Sequence, residues 1–132
     1  MGYGTVSGSG SRSGIATIYT KSLTVTNSTI SNNQGDGLLP DTTFARVIGS
    51  TISGNGGSGV DTGVYSYTRI INSTITGNSG SGKRINTVPG RFGGGVYVSL
   101  QAGVLILNRT ISGNSADFGS GCMSAMSTVE LR

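Results

Sequence analysis

The chain has 132 residues, one domain's worth, with 34% hydrophobic and 6% aromatic residues and no Trp, too little for a thick layered core. Charged residues make up 11% and the net charge is +4, which excludes a disordered polyelectrolyte; apart from Lys83, Arg84 and Arg91 the basic residues are scattered, which excludes a nucleic-acid partner read through a dense basic stripe. A lone Cys122 and the absence of His exclude a disulfide framework and a Cys-rich metal site, and no apolar run approaches the roughly 18 residues of a membrane span.

In chain order, one short text returns. It opens eroded as Tyr3-Gly4-Thr5-Val6-Ser7, then reads Asn27-Ser28-Thr29-Ile30-Ser31-Asn32-Asn33 and Gly49-Ser50-Thr51-Ile52-Ser53-Gly54-Asn55. It comes back as Asn72-Ser73-Thr74-Ile75-Thr76-Gly77-Asn78 and Asn108-Arg109-Thr110-Ile111-Ser112-Gly113-Asn114. The threonines at 5, 29, 51, 74 and 110 are 24, 22, 23 and 36 apart, and removing an inserted loop near 81–91 restores the last interval. A second landmark keeps step: Gly14-Ile15, Gly37-Leu38, Gly59-Val60, Gly95-Val96 and Gly121-Cys122. From its apolar residue to the next motif is 12 residues for Ile15, Val60 and Val96, and 11 for Leu38.

Within each period, apolar residues alternate (Leu23 and Val25, Val104 and Ile106), which is strand spacing, and Gly, Asn and Ser mark the bends. A period near 22 residues with three short strands predicts an all-β fold. It is a right-handed parallel β-helix, a three-sided solenoid of about five coils, forming a single domain over residues 1–132. Stacking turns equal positions into columns. Ile30, Ile52, Ile75 and Ile111, extended by Val6, form one inward column; Val25, Val47, Ile70 and Ile106 form a second, and Ile15, Leu38, Val60, Val96 and Cys122 a third. Asn33, Asn55, Asn78 and Asn114 form an amide ladder at a bend.

The text Asn-Ser-Thr-Ile-Ser-Gly-Asn, with Gly-Gly-Gly-Val-Tyr-Val at 93–98, resembles the right-handed parallel β-helix repeats of bacterial surface proteins. These belong to the broad pectate-lyase-like group and look like polymorphic-outer-membrane-protein repeats. The resemblance covers nearly the whole chain outside the 81–91 loop and implies an extracellular or cell-surface protein. The group mixes adhesin-like passengers, stalks and polysaccharide enzymes, so the resemblance fixes fold rather than activity.

Catalysis on this fold uses clustered acids, often with Arg, Lys or His. The acids here are Asp36, Asp41, Asp61, Asp117 and Glu130; only Asp41 and Asp61 fall on adjacent coils as an outward pair, with no third group, so no enzyme activity and no cofactor is expected. Arg46 and Arg69 share an outward column, a candidate anion or glycan contact that an acid such as Asp61 could neutralise. The outward pairs Thr29/Ser31, Thr51/Ser53, Thr74/Thr76 and Thr110/Ser112, with Thr5/Ser7, form a candidate binding face resembling that of β-helical antifreeze proteins. Ile48, Ile71 and Leu107 make an outward apolar stripe, with cover by the 81–91 loop as the first expectation and a lateral contact between protofilaments as the alternative. Asn27, Asn72 and Asn108 begin N-x-Thr sequons but read as corner residues.

Val129 and Leu131 match Val104 and Ile106, so the text ends near the repeat phase at which it begins, with both end coils uncapped. Open strand edges template pairing with another chain. The expectation is a non-catalytic structural subunit whose partner is itself, stacking head to tail into an extracellular filament through Tyr3, Thr5, Val6, Val129 and Leu131. Two alternatives stay open: a fragment or passenger module of an adhesin that binds a glycan or the cell surface, and ice binding through the Thr-x-Ser/Thr face.

Overall fold

Among the described residues, eight non-glycine positions have φ between 44° and 56°, a left-handed conformation that Asn tolerates better than most. Their positions define the corners of a solenoid. A computed structural model describes residues 4–7, 13–85, 88–124 and 128–132. The first coil is β1 (Gly4–Ser7), β2 (Ile15–Ile18) and β3 (Ser22–Thr26); the second is β4 (Ser28–Ser31), β5 (Leu38–Asp41) and β6 (Phe44–Ile48). The third is β7 (Thr51–Ser53), β8 (Val60–Thr62) and β9 (Tyr67–Ile71). After β10 (Thr74–Thr76) come β11 (Ser81–Ile85) and β12 (Val88–Phe92), and the fourth coil closes with β13 (Val96–Val98) and β14 (Gly103–Leu107). The fifth is β15 (Thr110–Ser112), β16 (Cys122–Ser124) and β17 (Thr128–Leu131).

Three parallel five-stranded sheets result: a first face β1-β4-β7-β10-β15, a second β2-β5-β8-β13-β16 and a third β3-β6-β9-β14-β17. Registers match the sequence columns rung by rung. Val6 pairs with Ile30, Ile30 with Ile52, Ile52 with Ile75 and Ile75 with Ile111. Ile15, Leu38, Val60, Val96 and Cys122 align on the second face, and Val25, Val47, Ile70, Ile106 and Leu131 on the third. The core is these columns, with Ile30, Ile52, Ile75, Val60 and Ile106 wholly buried.

The repeated text now has a physical reading. Asn27, Gly49, Asn72 and Asn108 turn the third face into the first at φ 48°, 59°, 50° and 44°. The next residue, Ser28, Ser50 or Ser73, is buried and its hydroxyl donates to the carbonyl two residues back (Thr26, Ile48 and Ile71). That same oxygen accepts the N–H of the serine one coil earlier, Ser28 to Ser50 and Ser50 to Ser73, both at 3.2 Å. Thr faces out, Ile in, and Asn32, Gly54, Gly77 or Gly113 makes the second left-handed corner. The sequon asparagines are therefore corner residues.

The insertion near 81–91, expected as a loop, is an antiparallel hairpin reaching Phe92, with Ser81 opposite Phe92 and Ile85 opposite Val88. Its base is fastened to the fifth coil. Phe92 stacks on Phe118 at 4.9 Å, Arg91 pairs with Asp117 at 3.7 Å, and the Arg91 N–H donates to Asp117 Oδ2 at 2.8 Å. The hairpin leaves from the corner between the first and second faces; its two strands form a sheet of their own, joined to the fifth coil by a single parallel bridge from Phe92 to Phe118. The expected cover over Ile48, Ile71 and Leu107 is thus corrected: these align on the third face, half-buried, away from that corner.

Candidate functional site

The asparagine ladder is the most heavily bonded feature of the coil. The backbone N–H and Nδ2 of Asn33 both donate to Asn55 Oδ1, at 3.1 and 3.0 Å. Asn55 does the same to Asn78 (3.0 and 2.8 Å), and Asn78 to Asn114 (2.9 and 3.0 Å). Each amide also donates back to a first-face carbonyl: Asn33 to Val6, Asn55 to Ile30, Asn78 to Ile52 and Asn114 to Ile75. Asn33, Asn55 and Asn78 thus each tie three coils and Asn114 two, satisfying corner backbone that strands leave unpaired.

Beside the ladder runs a glycine column that sequence reading noted without a reason. A Cβ on Gly37 would lie 2.6 Å from the Gly59 carbonyl and from Ile52 Cγ2, and one on Gly59 2.6 Å from Ile75 Cγ2. One on Gly95 would meet the Gly121 carbonyl at 2.4 Å. In each case the next coil fills the space. At Gly121 nothing lies within 4 Å. Arg109, Ile111, Gly121, Cys122 and Leu131 line an open concavity of about 380 Å³ on the coil of Thr110–Leu131. Inward residues at both end coils (Val6, Ile15 and Leu23; Ile111, Cys122 and Val129) are half-buried where their column mates are wholly buried. Cys122 shares the inward column but is half-exposed, and burial pushes its thiol up from the ordinary range, so it stays protonated at neutral pH. Tyr3 and the side chains of Ser7, Lys83 and Arg84 lie outside the described residues.

On the first face, Thr5, Thr29, Thr51, Thr74 and Thr110 stand in register, as do Ser31, Ser53, Thr76 and Ser112. Thr5, Thr110 and Ser112 are exposed and the members of the array between them half-buried, alternating with the inward Ile column.

The acidic pair is corrected. Asp61 is wholly buried, and its rung neighbour Tyr97 is only 5% exposed, although both alternate with inward residues of the second face. That face is covered on its outer side at these two coils, beside the corner from which the hairpin leaves. Asp41 is half-exposed at the end of β5, so the two acids do not share a solvated cleft. Nor does Asp61 neutralise the arginines, which stand on a different face.

Arg46 and Arg69 are in register on the third face, flanked by Phe44 and Tyr67 on one side and Ile48 and Ile71 on the other. Neither guanidinium makes an ion pair among the described residues, and Arg69 Nε is buried without a hydrogen-bond partner. Phe44 and Tyr67 stack at 5.7 Å with ring planes 16° apart, and Tyr67 reaches over Gly103, where a Cβ would lie 3.0 Å from its ring. Nine large hydrophobics are exposed among the described residues, and seven cluster here: Phe44 and Tyr67 at the start of the third face, Ile18, Tyr19, Val64, Tyr65 and Leu100 at the corner before it. Val64, Tyr65, Leu100 and Gln101 line a shallow concavity of about 450 Å³. Sequence reading missed this aromatic edge; its signals were Phe44 and Tyr67 sharing one repeat position and Tyr19 and Tyr65 sharing another.

Three parallel sheets wound coil on coil, with inward Ile/Val columns and an asparagine ladder, define a β-solenoid. The family model of the right handed beta helix region matches residues 8–130, and the chain belongs to that family. No curated protein and no solved structure matches it.

Proposed function

We propose that the chain is a non-catalytic structural protein of the extracellular space or cell surface, whose coils stack end to end, copy on copy, into a filament. The observation that carries this is the common register of the first face: Thr110 and Ile111 of β15 sit on Thr74 and Ile75 of β10 just as Thr29 and Ile30 of β4 sit on Thr5 and Val6 of β1. Strands that pair in one register within the chain suit a second copy as neighbour. The opposite edge of β1 carries the same residues to Thr110, Ile111 and Ser112 of that copy. The interface is heterologous and does not close on itself, so it propagates. Five coils at about 4.8 Å each give a rise of about 24 Å per subunit.

Negative-stain microscopy over a concentration series tests this. The wild-type chain forms filaments as concentration rises. Gly121→Ala, whose Cβ meets nothing within its own chain, keeps the melting temperature of the wild type and forms none. Monodisperse wild-type monomers at all concentrations, or undiminished filaments from Gly121→Ala, contradict the proposal.

A further inference from the structure

We propose that the third face and the corner before it bind an anionic glycan, its sugar ring against the Tyr65–Tyr67–Leu100 edge and its acidic group on Arg46 and Arg69. This site is independent of end-to-end stacking, because the strand edges at the two ends take no part in it.

The class of ligand follows from what the face presents. Its centre holds two cations in adjacent rungs, neither ion-paired among the described residues; Glu130, two rungs on in the same column, pairs with Arg132. Like charges at strand spacing repel, so the arrangement is relieved by an anion that contacts both. Guanidinium groups suit carboxylate or sulfate because their N–H groups form a planar fork. Two residues before the arginines, roughly 7 Å along the strand, stand the stacked rings of Phe44 and Tyr67. The column is bounded by small residues, Ser22 pairing with Phe44 and Gly103 with Tyr67, so no bulky column mate covers the ends of the ring stack. Aromatic faces carry partial negative charge and attract the weakly positive C–H face of a sugar ring, a contact that is cheap in entropy here because the stack already holds both rings. The adjoining concavity of about 450 Å³ gives the ring a wall in Tyr65 and Leu100. A purely apolar partner would leave the two arginines desolvated and unpaired, which is costly. An anionic saccharide satisfies both the rings and the charges.

The test measures equilibrium binding to dextran sulfate, to hyaluronate and to uncharged dextran. The two polyanions distinguish sulfate from carboxylate as the recognised group. The wild-type chain binds at least one polyanion and not dextran. Arg46→Gln/Arg69→Gln weakens that binding by about tenfold or more, as does Tyr67→Ala or Phe44→Ala, since charge-assisted contacts and ring stacking both contribute. Lys83→Gln/Arg84→Gln, which removes the same charge from the hairpin, leaves it unchanged. Thermal melting of each variant confirms the fold. The proposal is overturned by no binding to either polyanion, by equal loss from the hairpin variant, or by wild-type binding in both aromatic variants.

Discussion

Replacing Asn55 by alanine is expected to lower the unfolding free energy by about 3–5 kcal/mol, since a buried group left without its partner costs about 1–3 kcal/mol and several are left. Asn55 is 1% exposed. Its Oδ1 accepts two hydrogen bonds from Asn33, and its Nδ2 donates to Asn78 Oδ1 and to the Ile30 carbonyl. Truncation orphans the Asn33 N–H in a corner that water does not reach. Asn114→Ala takes Oδ1 away from the N–H and Nδ2 of buried Asn78, but Asn114 is itself half-exposed and water reaches the vacated space, so a smaller cost of about 1–2 kcal/mol is expected. Urea unfolding of the two variants gives the comparison. Equal losses at Asn55 and Asn114 would mean that the ladder is not the tie between coils.

Gly59→Ala is expected to cost about 3 kcal/mol or more, at or above the top of the range for overpacking a well-filled interior. Its Cβ would lie 2.6 Å from Ile75 Cγ2, 2.7 Å from the Gly95 carbonyl oxygen and 2.8 Å from Asn78 Nδ2. None of these is the free end of a flexible side chain: one is a methyl packed in the core, one is backbone, and one is an amide held by the ladder. The strain is relieved only by parting two coils, which breaks the pairing of β8 with β13. The same substitution at Gly121, the matching position of the fifth coil, is expected to change stability by less than about 0.5 kcal/mol, the usual range for a surface change. Chemical denaturation of the pair separates the two cases, and a mild Gly59→Ala would show that the coils are not packed as described.

The coil architecture was legible because a solenoid makes sequence period and spatial neighbour the same thing. Ile30, Ile52 and Ile75 share a letter and therefore a column. Even the interval of 11 residues after Leu38, against 12 elsewhere, has a place in the structure. Leu38 aligns with Val60 and Phe44 with Tyr67, so the missing residue falls at the corner between the second and third faces. That corner was the illegible one, because its left-handed residues, Tyr19, Thr42, Tyr65 and Gln101, are Tyr in only two coils and include none of the Asn or Gly that mark the other corners. Position across a corner of variable length and content was then assigned by proximity in the text, which put Asp61 near Arg69 when the two stand on different faces. Burial of Asp61 was likewise unreadable, since it depends on what lies over the outer side of the second face rather than on the repeat. The serine ladder had a signal, Ser28, Ser50 and Ser73 recurring and then yielding to Arg109, but a small polar residue at a bend looks the same whether or not its hydroxyl bonds to the next coil. The Phe44–Tyr67 stack spans two rungs, too few to stand out as a column.

Directed cross-linking between copies tests the end-to-end account most directly. Thr5 and Thr110 occupy the two ends of one outward column on the first face. In a Cys122→Ser background, Thr5→Cys on one population and Thr110→Cys on another are brought by head-to-tail stacking to about 4.8 Å, the spacing of paired strands and within reach of a disulfide. Mixing the two under mild oxidation should give the mixed disulfide in preference to either like-with-like product. Like-with-like disulfides alone, or none at concentrations where the chain assembles, would show that copies meet in some other way.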